Sequence, residues 1–139
     1  MLHSIQFIKN LLHKENIPLK NLGLTVTYHD PCHIGRNAGV NPLYNEPREI
    51  LSNITTLVEM KTIQENAKCC GAGGGVKKGF PDLALEIGKS RIKEAEDTGA
   101  EFLVSICPFC FRNLNDAISA LNSNIKMIDL LELLDQALS

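Results

Sequence analysis

Apolar side chains at Leu2, Ile5, Ile8 and Leu12 recur every three or four residues, which predicts a helix over residues 2–15 with one buried face. Asn16, Pro18 and Gly23 end it. Leu24–Tyr28 is short and β-branched, a first strand closed by Asp30-Pro31. Gly35, Asn37, Gly39, Asn41 and Pro42 mark a loop, and Asn45-Glu46-Pro47 places a capping residue before a proline, the entry to a short helix through Ile50 and Leu51. Thr56–Met60 reads as the second strand. Pro81 opens the clearest helix, with Ala84, Ile87, Gly88, Ile92 and Ala95 on one face and Gly99 as its stop. Phe102–Ile106 is a nearly continuous apolar run, as a strand covered on both faces requires. A helix from Pro108 carries Leu114, Ile118 and Leu121, and Ile125–Ile128 is a fourth strand. Asp129 and Glu132 form a capping box before Leu130, Leu134 and Leu138.

This alternation predicts an α/β domain: a small, Rossmann-like parallel sheet of about four strands with helices packed on it. The 139 residues suit one domain, with an N-terminal helix and linker over 1–22, a core over 24–114 and a last strand and helix over 115–139.

The five cysteines change the picture. Cys32 follows the first strand, Cys69 and Cys70 precede Gly71-Ala72-Gly73-Gly74-Gly75, and Cys107 and Cys110 bracket the turn after the third strand. Residues 33–68 and 71–106 separate the three groups, 36 residues in each interval, the length of a β-α-β step. The cysteines therefore meet at the C-terminal edge of the sheet, where open α/β folds place their sites. The turn before the helix from Pro108 offers the amide end of that helix to Cys107 and Cys110. Glycines after Cys70 let backbone approach a bulky inorganic group and present amides to sulfur. Neighbouring cysteines tend to diverge, which suits an extended cluster better than one ion, and five thiols exceed the four ligands of tetrahedral zinc. An iron-sulfur cluster fits best. Zinc held by four of the thiols, or with His29 or His33 in place of one, remains open, as does a thioredoxin-like redox pair at Cys107 and Cys110.

A net charge of -2 with both signs interspersed leaves no basic footprint for nucleic acid. No apolar run approaches a membrane span and the N-terminal apolar residues are interrupted, so the chain is expected to be cytoplasmic, with any membrane association supplied by a partner. An odd cysteine count in a reducing compartment favours ligation over disulfides. The glycine run lacks the spacing of a dinucleotide fingerprint, since Val76 stands where the third glycine belongs, and Gly88-Lys89-Ser90 lies within a helix. Lys77-Lys78 reads as surface, and His3 and His13 carry no argument.

Tyr28-His29-Asp30-Pro31-Cys32-His33-Ile34-Gly35-Arg36, Glu46-Pro47-Arg48, Cys69-Cys70-Gly71-Ala72-Gly73-Gly74 and Cys107-Pro108-Phe109-Cys110 together resemble the CCG domain of heterodisulfide reductase catalytic subunits and related iron-sulfur oxidoreductases, over about 25–114. The resemblance implies that Cys32, Cys69, Cys70, Cys107 and Cys110 bind a noncubane [4Fe-4S] cluster, with Gly71, Gly73, Gly74, His33 and Arg36 as further cofactor contacts. It implies electron transfer and reduction of the coenzyme M-coenzyme B disulfide, or service as an electron-transfer module of a glycolate or lactate dehydrogenase-type complex. A zinc-stabilised interaction domain is the third reading. Family members carry a second CCG domain and a ferredoxin-like 4Fe-4S domain or subunit, with flavoprotein or cytochrome partners. This chain has one cysteine set and no ferredoxin motif, and is expected to be a fragment or one component of a larger assembly.

Overall fold

The computed structural model describes residues 2–139. Its elements run α1 (Ser4–Lys14), β1 (Thr25–Tyr28), α2 (Asn45–Ile54), β2 (Thr56–Leu57), a 3-10 turn (Gln64–Asn66), α3 (Val76–Gly79), α4 (Pro81–Glu96), β3 (Phe102–Ser105), α5 (Pro108–Leu121), β4 (Lys126–Asp129) and α6 (Leu130–Leu138). The four strands form one parallel sheet in the order β2-β1-β3-β4, with Val26 opposite Phe102 and Phe102 opposite Lys126.

Strand alternation divides the core. Val26, Tyr28 and Val104 face one side, against Ile5 of α1, Ile50, Leu51 and Ile54 of α2, and Leu130, Leu133 and Leu134 of α6. Leu103 faces the other, with Ile92 and Ala95 of α4 and Leu114, Ala117 and Ile118 of α5. The chain thus leaves β1 toward one face and β3 toward the other. The crevice between the ends of these adjacent strands is a topological switch point, and the loops carrying Cys32 and Cys107 emerge there.

Local chemistry sets the element ends. Asp129 accepts from the Leu131 amide while Glu132 closes the capping box over α6. A second box, His3 with Gln6, starts α1. The entry to α2 differs from expectation, since Tyr44 is the capping residue and makes no side-chain cap bond. The second strand is shorter than its apolar pattern. After Val58 donates to the Val26 carbonyl, Glu59 is drawn off to Arg48 and Met60 enters the other half of the core, so the chain leaves the sheet to cover α4.

Candidate metal centre

The HDPC turn is pinned before it reaches its cysteine. Asp30, 5% exposed, accepts Arg48 Nη1 and Nη2 at 2.7 and 2.8 Å and the Gln64 amide at 2.8 Å. Arg48 also bonds Glu59 and lies over the Tyr28 ring. One carboxylate thus ties the end of β1 to α2 and to the segment leading into Cys69. Arg36 donates to the Ala67 carbonyl, two residues before Cys69, and so braces the loop; it is not among the residues lining the cavity.

The five cysteines line one cavity of about 800 Å³, together with His33, Gly73, Gly74, Lys77, Lys78 and Arg112. All five are free thiols, Cys70 and Cys110 buried and the other three half-buried. Lys77 and Lys78, plain surface by their place in the sequence, are part of this wall. Gly71 is not. Its φ of +94° and the space beside it, where a Cβ would lie 2.7 Å from the Ala84 carbonyl oxygen and 2.9 Å from the Ile87 Cβ, show that it lets the turn press against α4.

The Cys70 and Cys110 sulfurs and a His29 nitrogen lie within 4.8 Å of one another. Hydrogen bonds from Cys110 and Cys69, then from His29 and the Ala72 amide, drive the Cys70 thiol far below its ordinary pKa, against the effect of burial. Cys69 is pushed up because its proton is shared with Cys70, and the Gly71 amide approaches its sulfur at 3.3 Å. The two adjacent sulfurs differ in setting: Cys69 is half-buried and receives the Gly71 amide, while Cys70 is buried and receives the Ala72 amide at 3.5 Å. Cys107 caps α5. Its thiol is lowered to about 6, first by the Cys110 side chain and then by the Cys110 and Phe109 amides, while Cys110 is pushed up by the two sulfurs it serves, Cys107 first.

Residues outside the cysteine motifs hold this arrangement. Asn113, fully buried, donates from Nδ2 to the carbonyls of Cys70 and Ala84 and accepts Lys77 Nζ at 2.9 Å, locking the cysteine turn between α4 and α5. Arg91, also fully buried, donates to the Thr62 carbonyl, to Glu94 at 2.8 Å and to His29 Nδ1 at 3.1 Å. Sequence reasoning misses both, although helical spacing holds the signal: Ala84, Gly88, Arg91 and Ala95 share the buried face of α4, and Cys110, Asn113 and Ala117 that of α5. Burial, helped by the Arg91 charge and opposed by Cys70, lowers the pKa of His29, while its neighbour His33 is exposed at the cavity mouth.

Residues 26–115 match the family described as CCG, cysteine-rich domain. The chain belongs to that family. Among curated relatives, it is 48% identical over 141 residues to one component of the dihydromethanophenazine:CoB-CoM heterodisulfide reductase of Methanosarcina barkeri, covering 99% of this chain and 34% of that protein. It is 38% identical to one component of the fumarate reductase (CoM/CoB) of Methanothermobacter marburgensis, over 90% of this chain and 25% of the relative. It is 33% identical to an EtfAB:quinone oxidoreductase of Syntrophomonas wolfei, over 87% and 18%. This CCG domain spans about a third of the heterodisulfide reductase polypeptide and less of the other two. No helix among the described residues is long and apolar enough to cross a membrane.

Proposed function

We propose that this CCG domain is an iron-sulfur oxidoreductase module of the heterodisulfide reductase type, in which Cys32, Cys69, Cys70, Cys107 and Cys110 hold one noncubane [4Fe-4S] cluster. The donor set supports this most directly: five thiols line one cavity at a switch point, more than a zinc ion can use. Such a cluster, when bound, supplies one-electron transfer. The chain's own groups do the rest. The amides of Gly71 and Ala72 donate to the sulfurs of Cys69 and Cys70, which stabilises negative charge there. Gly73 and Gly74 leave that wall open, and Lys78 and Arg112 offer cations to an anionic substrate or partner. His33 is placed at the mouth to deliver a proton to a departing thiolate.

Splitting a disulfide consumes two electrons and two protons and yields two thiols, so one such centre needs refilling between steps. We assign that task to a ferredoxin-like domain or subunit and a second CCG domain, supplied in turn by a flavoprotein or cytochrome. The length of the relatives leaves room for such domains. The likeness to an EtfAB:quinone oxidoreductase favours a second reading, in which the domain only relays electrons.

Zinc is the weaker occupant. Among the described residues, the tightest three-ligand group is His29, Cys70 and Cys110, whose ligand atoms lie within 4.8 Å of one another. His29 Nδ1 already accepts from an arginine, so its remaining nitrogen carries the proton and has no lone pair for a metal. Anaerobic reconstitution with iron and sulfide, followed by metal and labile-sulfide analysis, tests the assignment. About four irons and four sulfides per chain are expected; zinc alone, bound in competition with iron, would refute it.

A further inference from the structure

Beneath the cysteines lies a polar chain that runs from α4 to one sulfur. Glu94 Oε2 accepts Arg91 Nη1 at 2.8 Å, and Arg91 Nε donates to His29 Nδ1 at 3.1 Å. The imidazole ring reaches Cys70, which with Cys110 and a His29 nitrogen forms a group within 4.8 Å. Every member is buried: Arg91 is 0% exposed, His29 1% and Glu94 6%. Thr62 closes the far end, its amide and hydroxyl donating to the two Glu94 oxygens at 2.6 and 3.0 Å and its carbonyl accepting Arg91 Nη1 at 2.9 Å.

Burying an arginine is costly unless its charge and donors are met, and packing alone would be served by an apolar residue on this face of α4. The chemistry of the chain suggests another use. A guanidinium Nε is always protonated and can only donate, so His29 Nδ1 must be the bare, accepting nitrogen. The ring then carries its proton on Nε2, is neutral, and has one donor left to give.

We propose that Glu94 and Arg91 lock His29 in the Nε2-H tautomer so that it donates a hydrogen bond to the Cys70 sulfur, making His29 a positioning residue that tunes the group those sulfurs hold. This rests on the iron-sulfur reading above for its redox consequence, though the tautomer itself does not. A donor to a ligand sulfur favours the more negatively charged, reduced state, so the bond raises the reduction potential. The Ala72 amide also approaches the Cys70 sulfur, at 3.5 Å, and Cys110 lies within the same 4.8 Å group, so a His29 donor acts on a sulfur already reached by a backbone amide.

Two measurements test this. In the reduced, metal-free protein, nitrogen-proton NMR correlation of the His29 ring should show the Nε2-H tautomer; an Nδ1-H tautomer or an imidazolium ring near neutral pH would overturn the proposal. In anaerobically reconstituted protein, His29→Leu should move the reduction potential to a more negative value at unchanged iron and sulfide content. His29→Gln, whose amide can place a donor near the position of Nε2, should recover most of that shift. A shift of the same size in both variants, or in neither, would overturn it, because a purely packing role would not separate the two. Should His29→Leu fail to fold, a potential for His29→Gln far below wild type would be the overturning result. Failure of the wild-type chain to bind iron would instead refute the iron-sulfur reading and leave the tautomer measurement to decide the relay.

Discussion

Gly71→Ala should be the most damaging single-methyl change in the cysteine-rich turn, and the local geometry sets its size. Residue 71 sits at φ +94°, where an L side chain costs about 1–3 kcal/mol. The new Cβ would stand 2.7 Å from the Ala84 carbonyl oxygen and 2.9 Å from the Ile87 Cβ, contacts with the body of α4 that no flexible side chain can relieve, adding about 1–3 kcal/mol of overpacking. With a urea m-value of about 2 kcal/mol/M, the midpoint of the reduced, metal-free protein should fall by roughly 1–3 M. Gly73 provides the internal control: its Cβ would meet nothing within 4 Å and its φ is not in the left-handed region, so Gly73→Ala should change stability by no more than about 0.5 kcal/mol. Gly74→Ala, at φ +63° in open space, should fall between them. Urea unfolding followed by circular dichroism under reducing conditions gives all three values. An unchanged midpoint for Gly71→Ala, or equal losses for Gly71→Ala and Gly73→Ala, would refute the reasoning.

Asn113→Asp replaces two donors to the Cys70 and Ala84 carbonyls with acceptors and should cost roughly 3 kcal/mol, with cluster uptake falling alongside it; an equilibrium stability within error of wild type would show that Asn113 is not the clamp. Glu94→Gln should cost roughly 3 kcal/mol at pH 7, because it leaves the buried Arg91 charge unpaired. Burial alone would raise the Glu94 carboxyl, but hydrogen bonds from Thr62 and Arg91 outweigh it and hold the folded value below the ordinary one. A depressed carboxyl contributes stability that is fully present above the unfolded value of about 4.3 and is lost as pH falls through the folded value. The gap between wild type and Glu94→Gln in urea titrations should therefore shrink from pH 7 toward pH 4 and below, and a gap that widens on acidification would contradict it. Cys70→Ser should abolish or alter the electron paramagnetic resonance spectrum of the reconstituted protein while His33→Ala leaves a cluster in place; the opposite pattern would exchange their roles.

Much of this architecture is legible from periodicity, because the elements that carry it are governed by local rules. The apolar run ending at Ser105, the proline entries at Pro81 and Pro108 and the capping box at Asp129 each specify an element without help from the rest of the fold. The convergence of the cysteines follows from equal intervals and the parallel connection. What escapes is decided by distant partners. Thr56–Met60 has a strand's composition, but the pull of Arg48 on Glu59 and the burial of Met60 shorten it to two residues. Arg91 and Glu94 have the look of solvated charges on a helix surface, and only the place of His29 at the end of β1 explains why they are inside. The bond from Arg36 to the Ala67 carbonyl joins residues 31 apart, which neighbours in sequence cannot announce.

If five sulfurs serve one group, thiol protection measures it directly. Wild-type protein reconstituted anaerobically with iron and sulfide would be alkylated under native conditions and each cysteine read by mass spectrometry, beside the same protein stripped of metal. Protection of Cys32, Cys69, Cys70, Cys107 and Cys110 together, gained on loading and lost together on chelation, is the predicted result. Protection of four with the fifth as reactive as in the metal-free chain would contradict it.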